Sequence, residues 1–347
     1  MKSSEKQSNI LRQRMLDFKN ILTDEINDCN QVFLTSHKHP DFDAIASLGA
    51  MALICKRLKK APYIIIDDKK ENMDIEVLSM IEKIKEKFIV ITKDDYENNK
   101  TNNDLLILVD VNKDFMTCLE NKYNEFKNVI IVVHHKEDEK TIKPASKLIV
   151  DEVSSCSEMF YYLLKYYNIV PSTDDYYTYL LSGIYLDTNK CSNNMHSSTY
   201  IAIKGLIELG ADQTKVENLF SLDFASDRRV QRLIDQTNFV NLRIAISVNG
   251  SEEYTKEEIA MAADYMLKFG CDASIASGKS NDETYFVSAR TKNGTIGIDN
   301  IMRILNGGGG NLSSASCPPV YVDKNKTDFE NANNLKEKIV KILTHKE

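Results

Sequence analysis

Residues 33–50 read FLTSHKHPDFDAIASLGA, an apolar run that breaks into a loop carrying His37, Asp41 and Asp43 and then opens a helix of small residues. A short continuous apolar run bounded by a turn and a helix start is the unit of a sheet covered by helices. One imidazole and two carboxylates within the seven residues 37–43 are costly as packing alone, because converging negative charges repel unless a cation neutralises them. A plainer reading uses the same letters: Pro40 makes the turn, and Asp41 or Asp43 caps the helix. The neighbouring segments must decide between the two.

Working outward, residues 1–30 have helical spacing, so a helix over 8–28 is expected to dock on the body of the protein. Strands are predicted at Gln31–Ser36, Tyr63–Asp67, Phe88–Ile91, Leu105–Asp110, Val129–His134 and Leu148–Val150. Helices are predicted near Ala44–Lys59, Ile75–Lys87, Phe115–Tyr123 and Ser157–Tyr167. Several of these strands are apolar throughout, the signature of a parallel sheet buried on both faces, and ligands of such sheets sit beyond the carboxyl ends of the strands. That rule makes a pattern of the polar residues. Asp110 ends DLLILVD, His134 and His135 end VIIVVHH, and His37 follows VFLTS, so three strands deliver ligand-type side chains to one edge. A helix through YTYLLSGIYLDTNK adds Asp187, whose ordinary role would be a cap.

At 347 residues the chain exceeds one typical domain. The pattern changes near Ser226–Thr237, so a metal-binding domain over 1–225, a linker helix over 226–240 and a smaller α/β domain over 241–347 are expected. In the last, strands are predicted at Leu242–Val248, Ala273–Ser280, Thr284–Thr291 and Thr295–Ile298, and helices at Lys256–Lys268, Asn300–Leu305 and Phe329–Leu343. Gly307, Gly308, Gly309 and Gly310, followed by Asn311, read either as a flexible linker or as bare backbone N–H groups that approach a phosphate. Arg290 reads either as an exposed sheet charge or as a phosphate partner. A domain with metals and a domain with phosphate-binding groups imply an active site in the cleft between them.

A net charge of −7 argues against long duplex nucleic acid but leaves a small anionic ligand open. No apolar run reaches the roughly 18 residues of a membrane span, and no secretory h-region opens the chain, so a cytoplasmic protein is expected. The seven cysteines are scattered without a Cys-x-x-Cys pair and read as reduced packing residues. Two imidazoles and four carboxylates, His37, Asp41, Asp43, Asp110, His134 and Asp187, suit manganese, with magnesium, iron or cobalt as substitutes. Six ligands fit two ions sharing one carboxylate, with Asp110 as the bridge. Such a pair acidifies a water between the ions and clamps a phosphoryl group.

In this order SHKHPDFDAIAS, the Asp110 strand end, VVHHKEDE, SGIYLDTN and the glycine run resemble the DHH phosphoesterase superfamily, which pairs a DHH domain with a DHH-associated C-terminal domain. Within it, LILVDVNK, DEVSSCSEMFYYLLKYY, ELGADQTKVENLF and EEIAMAADYML look most like the catalytic module of GdpP-type cyclic-di-AMP phosphodiesterases. The resemblance implies that His37, Asp41 and Asp110 hold one manganese, that Asp43, Asp110, His134 and Asp187 hold the other, and that His135 contacts the scissile phosphate. It implies hydrolysis of cyclic-di-AMP to pApA, continuing to AMP in one version. The alternatives are an exonuclease of short oligonucleotides or pApA, and a catalytically weakened dinucleotide-binding protein. The sensory and membrane portions of those enzymes are not in this sequence, which fits a freestanding module or a part of an anchored parent; the N-terminal helix would then lead an anchor or mediate homodimer contacts. Three positions depart from the pattern. Val133 stands where the acid that names the family is expected, Asn311 where a His follows the glycines, and NKCSNNMHSST lacks the expected Arg, leaving Lys190 or His196 to supply cationic help.

Overall fold

The computed structural model describes residues 2–344 apart from 67–74, 144–145, 151, 172–174, 222, 293, 295 and 311–312. The chain divides into two compact units, Met1–Phe220 and Ser221–Glu347. The first runs α1 (Lys2–Asp28), β1 (Val32–Thr35), α2 (Phe42–Arg57), β2 (Tyr63–Ile65), α3 (Ile75–Lys85), β3 (Ile89–Ile91), α4 (Lys93–Asn99), β4 (Leu105–Val109), β5 (Asn128–Val133) and β6 (Ser146–Ile149). It ends with four helices, α5 (Cys156–Tyr166), α6 (Asp175–Asp187), α7 (Ser197–Glu208) and α8 (Gln213–Leu219).

The six strands pair in parallel, as the apolar runs predict, and their order is β3-β2-β1-β4-β5-β6. Strand alternation sends one set of side chains to each face. Leu34, Ile107, Ile130 and Val132 pack with Met15, Leu48, Phe160 and Ile184, while Phe33, Leu108, Ile131 and Val133 pack with Tyr96, Leu119 and Phe126. Because strand order reverses between β1 and β4, their carboxyl ends flank a crevice, the place where open α/β sheets bind ligands.

A helix over Phe115–Tyr123 does not form; two short 3-10 turns, Asp114–Met116 and Tyr123–Glu125, stand there instead. The cause is local competition for the backbone. Both carboxylate oxygens of Asp114 accept the Asn121 N–H at 2.9 and 3.1 Å, Thr117 Oγ1 donates to the Asp114 carbonyl at 3.0 Å, and Asn121 is left-handed at φ 66°.

The second unit holds α9 (Phe224–Asp235), β7 (Asn238–Val240), β8 (Ile244–Glu253), α10 (Lys256–Met266), β9 (Ala273–Asn281), β10 (Thr284–Thr291), α11 (Ile298–Asn306), β11 (Gly309–Gly310), β12 (Ser314–Tyr321) and α12 (Asp328–Thr344). Its sheet has the order β11-β12-β10-β9-β8-β7, in which only β8 and β9 run parallel. α9 gives Val230, Leu233 and Ile234 to a core shared with Ile259 and Met266 of α10. Of the strand expected at Thr295–Ile298, Thr295 lies outside the described residues, and among the described ones Ile298 instead begins α11. β12 escapes sequence reading because Pro318 and Pro319 argue against a strand; they are accommodated where the register with β10 shifts, and β11 pairs only as far as Ser316.

Candidate metal centre

The loop after β1 meets its capping reading and is compatible with the other. Asp41 is the N-cap of α2, its Oδ1 accepting the Ala44 N–H at 3.0 Å, while its Oδ2 lies 4.0 Å from His37 Nε2. A carboxylate has two oxygens, so capping leaves one free for a cation. Asp43, in the first turn of α2, is fully buried. Its Oδ1 and Oδ2 accept the N–H groups of Ser157 at 2.7 Å and Cys156 at 2.8 Å, so this carboxylate rests on the positive N-terminus of α5.

Asp110 follows β4 with φ 57°, a left-handed conformation that Asp tolerates better than most residues, and its N–H is fixed by the Val132 carbonyl at 2.9 Å. This turn brings its carboxylate, 5% exposed, against three imidazoles: His135 Nε2 at 3.2 Å, His134 Nε2 at 3.5 Å and His37 Nε2 at 3.7 Å. Asp187 is the last residue of α6; an acid there opposes the helix dipole, and its Oδ2 faces His134 Nε2 at 3.1 Å.

The electrostatics record the crowding. Burial, followed by the charge of Asp110, pushes the carboxyls of Asp43 and Asp187 well above the ordinary range. Burial opposes charge on Asp110 too, but His135, His37 and His134 outweigh it and hold this carboxyl low. At His37 burial is again opposed, here by Asp110, Asp41 and Asp43, and the imidazole is pushed up to about 9. Burial, with Asp110 and Asp43 beside it, pushes the Cys156 thiol up.

Three ligand-type atoms, Asp110 Oδ1, His134 Nε2 and Asp187 Oδ2, are buried without a hydrogen-bond partner. Buried polar atoms are rarely left so, and these three converge. Among the described residues, four groups place one ligand atom of each member within 4.8 Å of the others: His37, Asp41 and Asp110; Asp43, His134 and Asp187; Asp110, His134 and His135; and Asp43, Asp110 and Cys156. These residues fit a divalent cation by donor type, proximity and unmet bonding. Asp110 belongs to three of the four groups, which suits a carboxylate shared between ions.

Sequence reasoning reads Cys156 as a packing residue and Gly183 as the mark of a tightly packed helix, and gives neither a part in the centre. α6 crosses α2 and α5 so closely that a methyl on Gly183 would lie 2.7 Å from Asp43 Oδ1 and 2.9 Å from Asp43 Cα, and closer still to Ser157 Oγ. Gly183→Ala is expected to displace Asp43 from the α5 N-terminus and weaken manganese binding about 10–100-fold, the range for disturbing a group that orients a ligand. Calorimetric titration checks it; unchanged affinity in a folded variant would show that the Asp43 position does not matter.

The remaining predicted residues have other local partners. Lys190 Nζ pairs with Glu217 Oε2 at 3.0 Å, and His196 precedes α7 with Nε2 3.3 Å from Asn194 Oδ1. In the second unit Arg290 donates from Nε to Asp264 Oδ1 at 2.9 Å and from Nη1 to Ser288 Oγ at 2.8 Å. Gly307 closes α11 in the left-handed conformation, and a side chain on Gly308 or Gly310 would strike the backbone of β12. Gly309 alone of the four has neither constraint, since its φ is not positive and a Cβ there meets nothing within 4 Å. Asn311 lies outside the described residues.

Among the described residues no helix is long and apolar enough to cross a membrane. The model of the DHH family, N-terminal domain, matches residues 31–184. The cyclic-di-AMP phosphodiesterase PdeA of Listeria monocytogenes serotype 1/2a (strain 10403S) is 30% identical over 304 residues, 85% of this chain and 46% of the relative. The cyclic-di-AMP phosphodiesterase GdpP of Bacillus subtilis (strain 168) is 27% identical over 311 residues, 86% of this chain and 46% of that protein. The chain thus spans about half the length of these curated relatives. An exopolyphosphatase-related protein from Bacteroides fragilis superposes with a TM-score of 0.67 at 16% identity, covering 93% of this chain and 95% of its own. An exonuclease RecJ solved with manganese superposes at 0.51 and 11% identity, covering 96% and 94%. These two likenesses establish the fold. Residues 31–184, in which β1, β4 and β5 bring His37, Asp110 and His134 to one sheet edge, match the N-terminal domain of the DHH family.

Proposed function

We propose that the chain is a manganese-dependent phosphodiesterase that opens cyclic-di-AMP to pApA. The observation that carries it is the convergence of three buried ligand atoms that make no hydrogen bond, Asp110 Oδ1, His134 Nε2 and Asp187 Oδ2, at the carboxyl edge of a parallel sheet. The substrate class is supported by the names of the relatives matched over most of the chain.

His37, Asp41 and Asp110 would hold one ion, and Asp43, Asp110, His134 and Asp187 the other. Two divalent ions supply positive charge for phosphoryl oxygens and acidify water toward neutrality. Oxygen-rich ligation favours manganese, with magnesium, cobalt or iron as substitutes. The amides of Cys156 and Ser157 hold Asp43 in place as charge develops, which spares reorganisation during reaction. His135 is half exposed, 3.2 Å from Asp110, and is positioned to donate a hydrogen bond to a phosphate oxygen. Recognition of the dinucleotide in the second unit is assigned to Arg290, Gly307, Gly308, Gly309, Gly310 and Asn311.

The test is a product assay with cyclic-di-AMP, pApA and short mixed-sequence RNA, with manganese and with a chelator. Manganese-dependent conversion of cyclic-di-AMP supports the proposal. Turnover of RNA alone would make the protein an oligonucleotide exonuclease, and binding of cyclic-di-AMP without turnover would make it a sensor.

A further inference from the structure

Among the described residues Cys156 is the one thiol inside the carboxylate cluster. It is fully buried, and its Sγ lies within 4.8 Å of a carboxylate oxygen of both Asp43 and Asp110. As the first residue of α5 it donates its N–H to Asp43 Oδ2, and its thiol donates to the Val132 carbonyl at 3.4 Å, a bond that cation binding would exchange for a metal–sulfur bond. A second observation points to a ligand at the same spot: Asp110, 95% buried as a side chain exposed to only 5%, presents Oδ1 with no hydrogen-bond partner.

We propose that Cys156, together with Asp43 and Asp110, is a ligand set for a thiophilic divalent cation of the zinc or cadmium class, which competes with the oxygen-preferring cofactor of this centre. The proposal deepens the metal reading above and rests on it. Oxygen-only sites favour hard ions such as manganese and magnesium, whereas one sulfur donor raises affinity for softer ions. Binding forms a metal–sulfur bond and releases the thiol proton to solvent, with no change of oxidation state. Both kinds of ion need Asp43 and Asp110, so occupancy by the softer ion excludes the cofactor and inhibits the enzyme.

The experiment titrates the full chain with cadmium, following sulfur-to-metal charge-transfer absorption in the near ultraviolet, beside manganese binding measured by electron paramagnetic resonance of the free ion. The expected result is a saturable band in the wild type that excess manganese suppresses. Cys156→Ser should lose the band and lose more affinity for cadmium, about tenfold or worse, than for manganese. A wild-type band that is absent, or one that persists in Cys156→Ser and so reports another cysteine, overturns the proposal. Asp43→Asn in a chain that keeps its thiol must also lose the band, which covers the case of a serine variant that fails to fold. Normal manganese binding with no band defeats the thiol alone; failure of both ions to bind defeats the metal reading with it.

Discussion

Replacing Asp110 with asparagine is expected to lower turnover by about three orders of magnitude or more, equivalent to roughly 4 kcal/mol of lost transition-state stabilisation. Asparagine keeps the shape and tolerates the left-handed backbone at φ 57°, so the loss isolates the charge; alanine would add a backbone penalty of about 1–2 kcal/mol in that conformation. The expectation follows from placement. Asp110 is the member common to three of the four candidate ligand groups, and its carboxylate faces His37, His134 and His135. Bound manganese should fall from about two ions per chain to one or none. The rise in melting temperature produced by manganese should shrink with it; a ligand present at about 100 times its dissociation constant stabilises by about 2.7 kcal/mol. Elemental analysis, thermal melts and the cyclic-di-AMP assay measure all three. Two retained ions with normal turnover would remove Asp110 from the bridging role.

The residues that were legible in the sequence are those that end a periodic run. His37, Asp110 and His134 each follow a stretch of buried strand, so the parallel sheet and the meeting of these three at one edge could be read together. Asp41 looked like a choice between cap and ligand, but the two are compatible, since capping takes Oδ1 and leaves Oδ2 facing His37. Tight packing at Gly183 was legible, but the effect of Gly183 and Cys156 on Asp43 was not, because it depends on which helices approach each other. The bond from the Cys156 amide to Asp43 spans 113 residues of sequence, and the space that Gly183 leaves beside Asp43 exists only once α6 lies across α2. In the second unit, β12 was hidden by two prolines that a register shift absorbs, and Phe115–Tyr123 lost its helix to side-chain bonds from Asp114 and Thr117. Periodicity reports burial; it says nothing of a side chain that takes the place of a backbone partner.

Val133 carries the strongest disagreement between a motif and a fold. Restoring the family's acid there looks, from sequence, like a repair that would orient His134. In this structure Val133 is fully buried and belongs to the apolar face with Phe33, Leu108, Ile131 and Ile142, whereas Ile130 and Val132 point to the face covered by α2 and α5. Continued alternation sends His134 away from Val133, toward Asp187. Val133→Asp is therefore expected to leave an uncompensated carboxylate among hydrocarbon side chains, at a cost of about 3–5 kcal/mol. The melting temperature should fall by on the order of 10 °C. Val133→Asn, polar but uncharged, should lose less, and Val133→Ile should sit near wild type. Manganese affinity of the folded fraction should not rise in any of them. If instead Val133→Asp melts like the wild type and binds manganese more tightly, the side chain reaches the metal centre and the assignment of Val133 to the apolar face is wrong.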